Sequence, residues 1–405
     1  MRIVLDLIHS NVVRRSANGV AFRMLLLAAA ANVCSRAAAS SEGQWQGTSY
    51  PRVAASESSH PARFFVTDSG GSGGGFGGGD PHHHLGSIDF WNRNIGWACG
   101  NGGVFRSADG GLSWTRVKPR GGWAQVRLTG PQDVWLLEST FVDRKPVVHL
   151  WHSTDAGRNW QEPLPETLIG GFCLYARGRH CWIFSGRADG MSFASADGGQ
   201  SWRRIDFHGL LAGGTHLAIP ADVPTNAPAG PNEGFVAYAF GHRASGSRSP
   251  MAKSIDGGHE WEAITLPSDL PASELPKTMY FATSWKGWLG FKDGRILLTA
   301  DGGRTWQWRN LPTHDQAVIA LWMDQAGHGF ASVANGPSWG STNDAYVGAY
   351  RDAVFETHDD GQSWTPVLSG YKQINAFVAL DANHVWGAGY SPTNVPNDLI
   401  VIWDR

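Results

Sequence analysis

Short, mostly apolar segments, separated by turn residues, recur along the chain from about residue 87. Residues 87–90 and 95–98 form one such pair, and residues 279–282 and 287–289 form another. Each segment has only a few residues and is bounded by Gly, Asn, Asp or Ser. Short apolar runs with aromatic residues and frequent turns between them predict β-strands and not helices. We therefore predict an all-β chain built from short antiparallel strands.

A second pattern repeats between these segments. The motif Ser/Thr-x-Asp-x-Gly-x-x-Trp occurs six times, with starts about 40 to 60 residues apart, a period that indicates a repeat architecture. The six copies are residues 107–114, 153–160, 195–202, 254–261, 299–306 and 357–364.

Each copy predicts a tight β-hairpin. The Ser or Thr ends one strand, the Asp side chain accepts hydrogen bonds from nearby backbone N–H groups, and the Gly takes a positive φ angle. The Trp begins the next strand and covers the turn. The residues assigned this structural role are Asp109, Trp114, Asp155, Trp160, Asp197, Trp202, Asp256, Trp261, Asp301, Trp306, Asp359 and Trp364.

At these residues the sequence resembles the Asp-box (BNR) repeat of β-propellers, a group that includes sialidases, sortilin-type receptors and the photosystem II stability/assembly factor family. The resemblance implies a propeller in which the repeated turns are structural and lie away from any catalytic or binding site. It therefore indicates a fold and no reaction.

An aromatic residue precedes most turns and marks a second strand of each unit. It is Trp97, Trp135, Trp182, Trp288 or Trp386, with Phe235 and Phe330 in the fourth and sixth units. Strand, turn, aromatic strand, loop, third strand, repeated turn and fourth strand make one four-stranded propeller blade. The units span 87–118, 123–163, 169–207, 214–265, 277–310, 315–368 and an incomplete 372–405.

The incomplete last unit predicts how the ring closes. It lacks a fourth strand, and the isolated apolar segment 62–67 can supply one, so that no sheet edge is left open. We expect a seven-bladed β-propeller of four-stranded antiparallel blades closed by this N-terminal strand. Six blades with loose ends are the alternative.

The first 39 residues have the pattern of a targeting segment. Arg14, Arg15 and Arg23 precede the apolar run 24–33, and Ala37–Ala39 supply a small-residue cleavage pattern. We expect export to the periplasm or the extracellular space, with residues 40–61 as a flexible leader and 62–405 as a single propeller containing a Gly-rich loop at 70–79. A lipoprotein, an uncleaved anchor and a mis-assigned start on a cytoplasmic protein remain alternatives. The mature chain has no predicted membrane span.

Composition narrows the classes of partner. A formal net charge of −2 offers no basic surface for nucleic acid or an anionic membrane, so neither is expected. The spacing of Cys and His predicts no zinc site, and we expect neither cofactor nor metal. His82, His83 and His84 could converge on an ion, but a solvated loop is favoured. Cys173 and Cys181 could form a cross-strand disulfide after export, whereas buried free thiols are the favoured alternative.

The blade topology predicts two different faces. The turns between first and second strands and the repeated turns lie on one face, which we call the turn face. The long insertions lie mostly on the opposite face, the loop face, where rigid scaffolds usually carry binding residues. The candidate binding residues there are Arg144, Lys145, His242, Arg243, Arg248, Trp339, Asn343, Asp344 and Tyr346. For each one an ordinary polar loop residue is the alternative.

Two classes of function remain to be weighed. A sialidase would need an arginine cluster with Tyr, Glu and Asp on the inner strands, which offer little beyond Arg127. Xyloglucanases resemble two facing propellers, and this chain accommodates one. The aromatic strands and the residues 102–107 before the first turn are most similar to the photosystem II stability/assembly factor family. This resemblance implies a non-catalytic module that binds membrane-protein assembly intermediates through an arginine-rich patch.

Basic residues in this chain are dispersed, so the photosystem itself is not carried over. The expectation is an exported, monomeric, non-catalytic propeller that binds a protein partner, with a membrane-protein complex as one candidate. A glycoside hydrolase or sialidase-like propeller acting on a glycan is the alternative, and enzymatic activity stays an open question.

Overall fold

The computed structural model describes residues 44–49, 85–100, 102–119, 121–142, 145–164, 168–169, 172–185, 191–223, 234–244, 249–271, 274–313, 316–335, 352–369, 373–381, 383–390 and 398–404. Every regular element in these ranges is a β-strand. The expected all-β propeller with four-stranded antiparallel blades is confirmed. The predicted targeting segment and most of the predicted leader lie outside the described residues.

Six blades are each built from four consecutive strands. The first comprises β2 (Leu85–Phe90), β3 (Gly96–Gly100), β4 (Gly103–Ser107) and β5 (Thr115–Lys118). The second comprises β6 (Trp123–Leu128), β7 (Val134–Val142), β8 (Lys145–Ser153) and β9 (Leu168–Ile169). The third comprises β10 (Phe172–Arg177), β11 (His180–Ser185), β12 (Ser192–Ser195) and β13 (Arg203–Ile205).

The other three blades follow the same order. The fourth comprises β14 (Leu211–Ala218), β15 (Ala237–Arg243), β16 (Met251–Ser254) and β17 (Glu262–Ala263). The fifth comprises β18 (Thr278–Phe281), β19 (Gly287–Gly290), β20 (Arg295–Thr299) and β21 (Gln307–Asn310). The sixth comprises β22 (Gln316–Met323), β23 (Gly329–Asn335), β24 (Asp352–Thr357) and β25 (Thr365–Ser369).

The remaining sheet is composite. It contains β26 (Gln373–Asp381), β27 (His384–Tyr390) and β28 (Asp398–Asp404), with the N-terminal strand β1 (Gln44–Ser49) beside β28. The expectation of seven blades closed by residues 62–67 is thus corrected to six blades of consecutive strands and one composite sheet. Residues 62–67 lie outside the described residues, and the strand that pairs with β28 comes from earlier in the chain.

The innermost strand of each sheet contacts the innermost strands of its two neighbours. Strand β2 contacts β6 on one side and β26 on the other, and β22 contacts β18 and β26. The composite sheet therefore packs between the sixth and first blades. The apolar cores follow this arrangement, because most clusters of buried side chains combine residues from two adjacent sheets.

All six repeated turns share one hydrogen-bond pattern, shown here for the second blade. The Ser153 hydroxyl donates to Asp155 Oδ1 at 2.8 Å and accepts the backbone N–H of Gly157 at 2.9 Å. Asp155 Oδ1 also accepts the backbone N–H of Asn159 at 2.8 Å. The amide of Asn159 and then its side chain lower the pKa of Asp155 to about 2. The glycine of each motif has φ between +80° and +91°, as the sequence predicted.

The repeated turns also join neighbouring blades, a role the sequence did not reveal. Trp135 on β7 of the second blade meets Trp202 of the third blade's turn edge to face, with ring centroids 6.2 Å apart. Trp97 with Trp160 and Trp182 with Trp261 repeat this contact. The composite sheet contacts the repeated turn of the first blade in a similar way: Trp386 Nε1 donates to the carbonyl of Gly110 at 2.9 Å.

One aromatic of the predicted pattern is misplaced. In the fourth blade Tyr238, not Phe235, pairs with the third strand at the position that Trp97 occupies in the first blade. Tyr238 stacks on Phe281 of the fifth blade, with ring centroids 3.6 Å apart, and its hydroxyl donates to the carbonyl of Ser284. Phe235 precedes β15 and packs against Trp182 instead.

Cys99, Cys173 and Cys181 are buried free thiols, as the favoured alternative predicted. Cys173 is paired in register with Phe184, whereas Cys181 is paired with Ala176. The two cysteines therefore face opposite sides of the sheet, because strand residues three apart point in opposite directions. A disulfide between them does not fit this register.

Candidate binding sites on the turn face and around the axis

The innermost strands place seven residues at one level around the propeller axis. Each is paired in register with the aromatic position of its second strand. We call this set the axial ring; it consists of Asp89, Arg127, Tyr175, Ala218, Tyr280, Trp322 and Val378. Four of the seven are polar, so the expectation that the inner strands offer little beyond Arg127 is wrong.

Asp89 and Arg127 of the axial ring, and Arg177 close to it, form hydrogen bonds to neighbouring blades. Asp89 Oδ2 accepts the N–H of Leu128 at 2.8 Å, and Arg127 donates through one terminal nitrogen to Ser87 Oγ at 3.0 Å. Arg177 lies two residues beyond Tyr175, and both of its terminal nitrogens donate to backbone carbonyls, those of Pro220 and Ala221. These contacts hold the inner strands of successive blades together.

Burial shifts the protonation of these groups towards their neutral forms. It raises the pKa of Asp89 to about 6, although Arg127 and the amides of Leu128 and Phe90 oppose the shift. It also raises the pKa of Tyr175 to about 12, against the charge of Arg177. Burial, and after it the interaction with Tyr175, raise the pKa of Tyr280. Tyr175 and Tyr280 thus interact electrostatically, although they belong to the third and fifth blades.

The raised pKa of Asp89 gives a testable pH dependence. Between about pH 4 and pH 6 the folded protein keeps a proton on Asp89 that the unfolded chain has lost, so the Asp89 contribution to stability falls as pH rises through this window. Asp89→Asn cannot ionise. We expect the free energy of unfolding of the variant to gain about 2–3 kcal/mol relative to wild type between pH 4 and pH 6.5, measured by urea denaturation. A difference that does not change with pH would contradict the assignment.

The turn face carries all the exposed large apolar side chains among the described residues. Five such residues lie in, or at the edge of, the turns on this face. They are Trp91, Leu112, Ile255, Trp285 and Leu380. Isolated apolar residues at a surface are ordinary, but tryptophans exposed to this degree are infrequent and are typical anchors of protein interfaces.

Of these five residues, Trp285 has the most contacts with charged side chains. Its ring is 53% exposed and lies 5.3 Å from Lys253 Nζ and 5.9 Å from the guanidinium of Arg304. Its backbone is held firmly: the Trp285 carbonyl accepts the N–H of Gly302 at 2.8 Å, and the preceding Ser284 N–H donates to Asp222. An aromatic ring flanked by two cations on a rigid turn suits an acidic or carboxylate-bearing segment of a partner.

Sequence reasoning missed Trp285 because it concentrated on the loop face. Its signal was an aromatic residue inside a short polar turn, a position that needs no large apolar side chain for folding. Of the predicted loop-face residues, Lys145, His242 and Arg243 lie at the loop-face ends of strands in the second and fourth blades, which are not adjacent. The others lie outside the described residues: Arg144, Arg248, Trp339, Asn343, Asp344 and Tyr346. His82, His83 and His84 also lie outside them.

Comparison with solved structures gives the fold and no more. YCF48 bound to D1 peptide is 16% identical, with a TM-score of 0.55 over 80% of this chain and 93% of that chain. YCF48 from Cyanidioschyzon merolae is 15% identical, with a TM-score of 0.55 over 79% of this chain and 95% of that one. An ancestral GH74 enzyme is 14% identical, with a TM-score of 0.52 over 80% of this chain but 46% of its own.

No family model matches the sequence, and no curated protein matches it either. The structural similarity establishes a shared propeller architecture. Sequence identities this low leave the activity open. Among the described residues, no helix has the length and apolar character that crossing a bilayer requires.

Proposed function

We propose that this protein is a non-catalytic propeller that binds a protein partner, with the turn face around Trp285 as a principal contact. The exposed Trp285 ring between Lys253 and Arg304 carries the proposal. One similar solved structure is YCF48 bound to D1 peptide, which is consistent with this class of function. An assembly-factor-like role at a membrane-protein complex, after export and as a monomer, is part of the proposal.

We also retain two finer points of the sequence analysis as proposals. The repeated turns belong to the Asp-box type, and their shared hydrogen-bond pattern supports this. The composite sheet closes the ring with a strand from the N-terminal part of the chain, and its packing between the sixth and first blades supports this. The loop-face residues, including Lys145 and His242, remain a second proposed surface.

The chemistry of the axial ring argues against the glycosidase alternative. Glycoside hydrolysis uses two carboxyl groups about 5 to 10 Å apart, and Asp89 is the one carboxylate in the axial ring. A sialidase-type tyrosine nucleophile needs a lowered pKa, whereas burial raises the pKa of Tyr175. The terminal nitrogens of Arg177 are already engaged with carbonyls.

Peptide selection tests the proposal directly. A displayed library of random 12-residue peptides is selected on the immobilised protein, and the affinities of enriched peptides are measured by fluorescence anisotropy. We expect these peptides to contain Asp or Glu, and Trp285→Ala to weaken their binding at least about tenfold, equivalent to about 1.4 kcal/mol. Loss of the large flat ring removes the apolar contact. Arg304→Gln should weaken the binding of the same peptides.

Trp91→Ala is the matched control, since Trp91 is 42% exposed in the corresponding turn of the first blade. It should leave the affinities within about twofold of wild type. Peptide binding that is indifferent to Trp285→Ala would contradict this surface. Release of reducing sugar from a glycan panel, abolished by Asp89→Asn or Asp344→Asn, would instead establish a hydrolase.

A further inference from the structure

The sixth blade gathers two histidines and a glutamate on its turn face. His328 Nε2 lies 2.7 Å from Glu356 Oε1, and His358 Nε2 lies 3.3 Å from the same oxygen. One ligand atom from each of the three residues falls within 4.8 Å of the others. His328 and Glu356 are buried, whereas the side chain of His358 is 59% exposed.

The strand register explains why the three side chains meet. Gly329 pairs with Thr357, so His328 and His358 stand opposite each other one residue beyond that pair. Phe330 pairs with Glu356, and residues two apart on a strand share a face. His328, Glu356 and His358 therefore project from the same side of the sheet as directly opposite and diagonal neighbours.

The backbone around the cluster is held in place. The N–H of Asp360 donates to the carbonyl of Gly327 at 3.0 Å, which joins the turn before β23 to the repeated turn after β24. The N–H of His328 donates to Asp324 Oδ1 at 2.9 Å, and the His328 ring packs edge to face on Phe330. Two of the three donors are thus fixed before any ligand arrives.

We propose that His328, Glu356 and His358 bind a divalent transition metal ion of the zinc type. Two imidazole nitrogens and one carboxylate oxygen are a donor set that Zn²⁺ accepts in proteins, with water completing the coordination. The site is independent of Trp285 and goes beyond the proposed function. The His358 side chain is 59% exposed, so an ion could reach the cluster from the turn face.

One side chain must move for the ion to bind. The rings of His328 and His358 stack with centroids 4.6 Å apart and planes 8° apart, so their in-plane lone pairs run parallel and do not converge. His358 lies on the exposed side and can rotate about its side-chain bonds, while His328 and Glu356 stay in place. The ion would take the place of the hydrogen bond between His328 Nε2 and Glu356 Oε1.

The second blade offers a natural comparison. Asp133 and His152 occupy the positions of His328 and Glu356 there, and they form a pair with 2.7 Å between His152 Nε2 and Asp133 Oδ1. The residue at the position of His358 is Thr154, which leaves that blade one imidazole short. Among the described residues, the sixth blade alone forms a three-residue cluster with these ligand distances.

Calorimetric titration of the full chain with Zn²⁺ tests the proposal. A background in which His82, His83 and His84 are all changed to Asn removes a competing histidine run. In that background we expect one equivalent of Zn²⁺ to bind. His358→Asn and Glu356→Gln should each weaken binding by about a hundredfold or more.

His208→Asn is the matched control. His208 is exposed, pairs with Asp206 and Glu260 on opposite ring nitrogens, and has a φ of 49°, a conformation that Asn also adopts. It should leave Zn²⁺ affinity unchanged. Visible absorption bands of bound Co²⁺ that disappear in His358→Asn would support the same site. Absence of one-equivalent binding, or binding that His358→Asn does not weaken, would overturn the proposal.

Discussion

Replacing Gly199 by alanine is expected to destabilise the propeller more than any other single added methyl group in the third blade's turn. A Cβ at Gly199 would lie 2.5 Å from the Trp135 ring of the preceding blade, and the residue has φ of +86°. Left-handed backbone costs a residue with a Cβ about 1–2 kcal/mol. Forcing an atom into a packed core costs about 1–3 kcal/mol more. We expect Gly199→Ala to lower the free energy of unfolding by about 2–5 kcal/mol.

The adjacent glycine supplies the control. Gly198 has φ of +76°, but a Cβ there would meet no atom within 4 Å. Gly198→Ala therefore carries the backbone cost alone, about 1–2 kcal/mol. Urea denaturation followed by tryptophan fluorescence gives both values. Equal losses in the two variants would show that the contact between the turn and Trp135 contributes nothing.

The sequence could predict the local structure of the turns but not the contact between Gly199 and Trp135. The motif contains a Ser or Thr, an Asp and a Gly at fixed spacing, and these residues define the local hydrogen bonds and the positive φ. The partner of the turn, by contrast, is Trp135, more than sixty positions before Gly199. A repeat period reveals that units stack, but it does not say which side chain of one unit lies against the turn of the next.

The axial ring was missed for a related reason. Asp89, Tyr175 and Tyr280 each lie in a short, mostly apolar segment. Such a segment is typical of an ordinary β-strand. They stand at one level because their strands share the same register to the aromatic position of the second strand. Irregularities in register, such as those in β14, prevent alignment by counting residues. Register depends on how two strands pair, so it cannot be determined from the sequence of one strand alone.

The cluster of His328, Glu356 and His358 could not be predicted from the sequence for a similar reason. Glu356 and His358 lie close in sequence at a repeated turn, but His328 is on another strand. In the sequence it is simply a histidine before the pattern Gly-Phe-Ala. Only the pairing of β23 with β24 places its ring on the same face as the other two. The loop-face residues predicted from insertion length, such as Trp339 and Asp344, remain a prediction.

The closing strand was misassigned because the sequence analysis looked for an apolar segment. Residues 62–67 contain two Phe and a Val, whereas β1 has the sequence Gln-Trp-Gln-Gly-Thr-Ser. The outermost strands of two other blades are also polar: β5 is Thr-Arg-Val-Lys, and β17 is an exposed Glu-Ala pair. An outer strand packs little of its surface against neighbouring blades, so hydrophobicity is a poor criterion for finding it.

Removing β1 is expected to have the largest effect of any change considered. A chain that starts at residue 50 lacks Gln44–Ser49 but keeps residues 62–67, and it leaves the whole length of β28 as an unpaired edge. Exposed edges recruit other chains, and the sheet between the sixth and first blades loses its outer strand. We expect soluble aggregates in light scattering and a Tm at least about 10 °C below that of the full chain.

A chain that starts at residue 40 is the matched control, because it removes the predicted targeting segment and keeps β1. It should be monomeric and as stable as the full chain, which separates loss of the strand from loss of the N-terminal residues. If the chain that starts at residue 50 is equally stable and monomeric, β1 does not close the ring. A further chain that starts at residue 70 would then decide whether residues 62–67 take that place, since only their removal should cause aggregation.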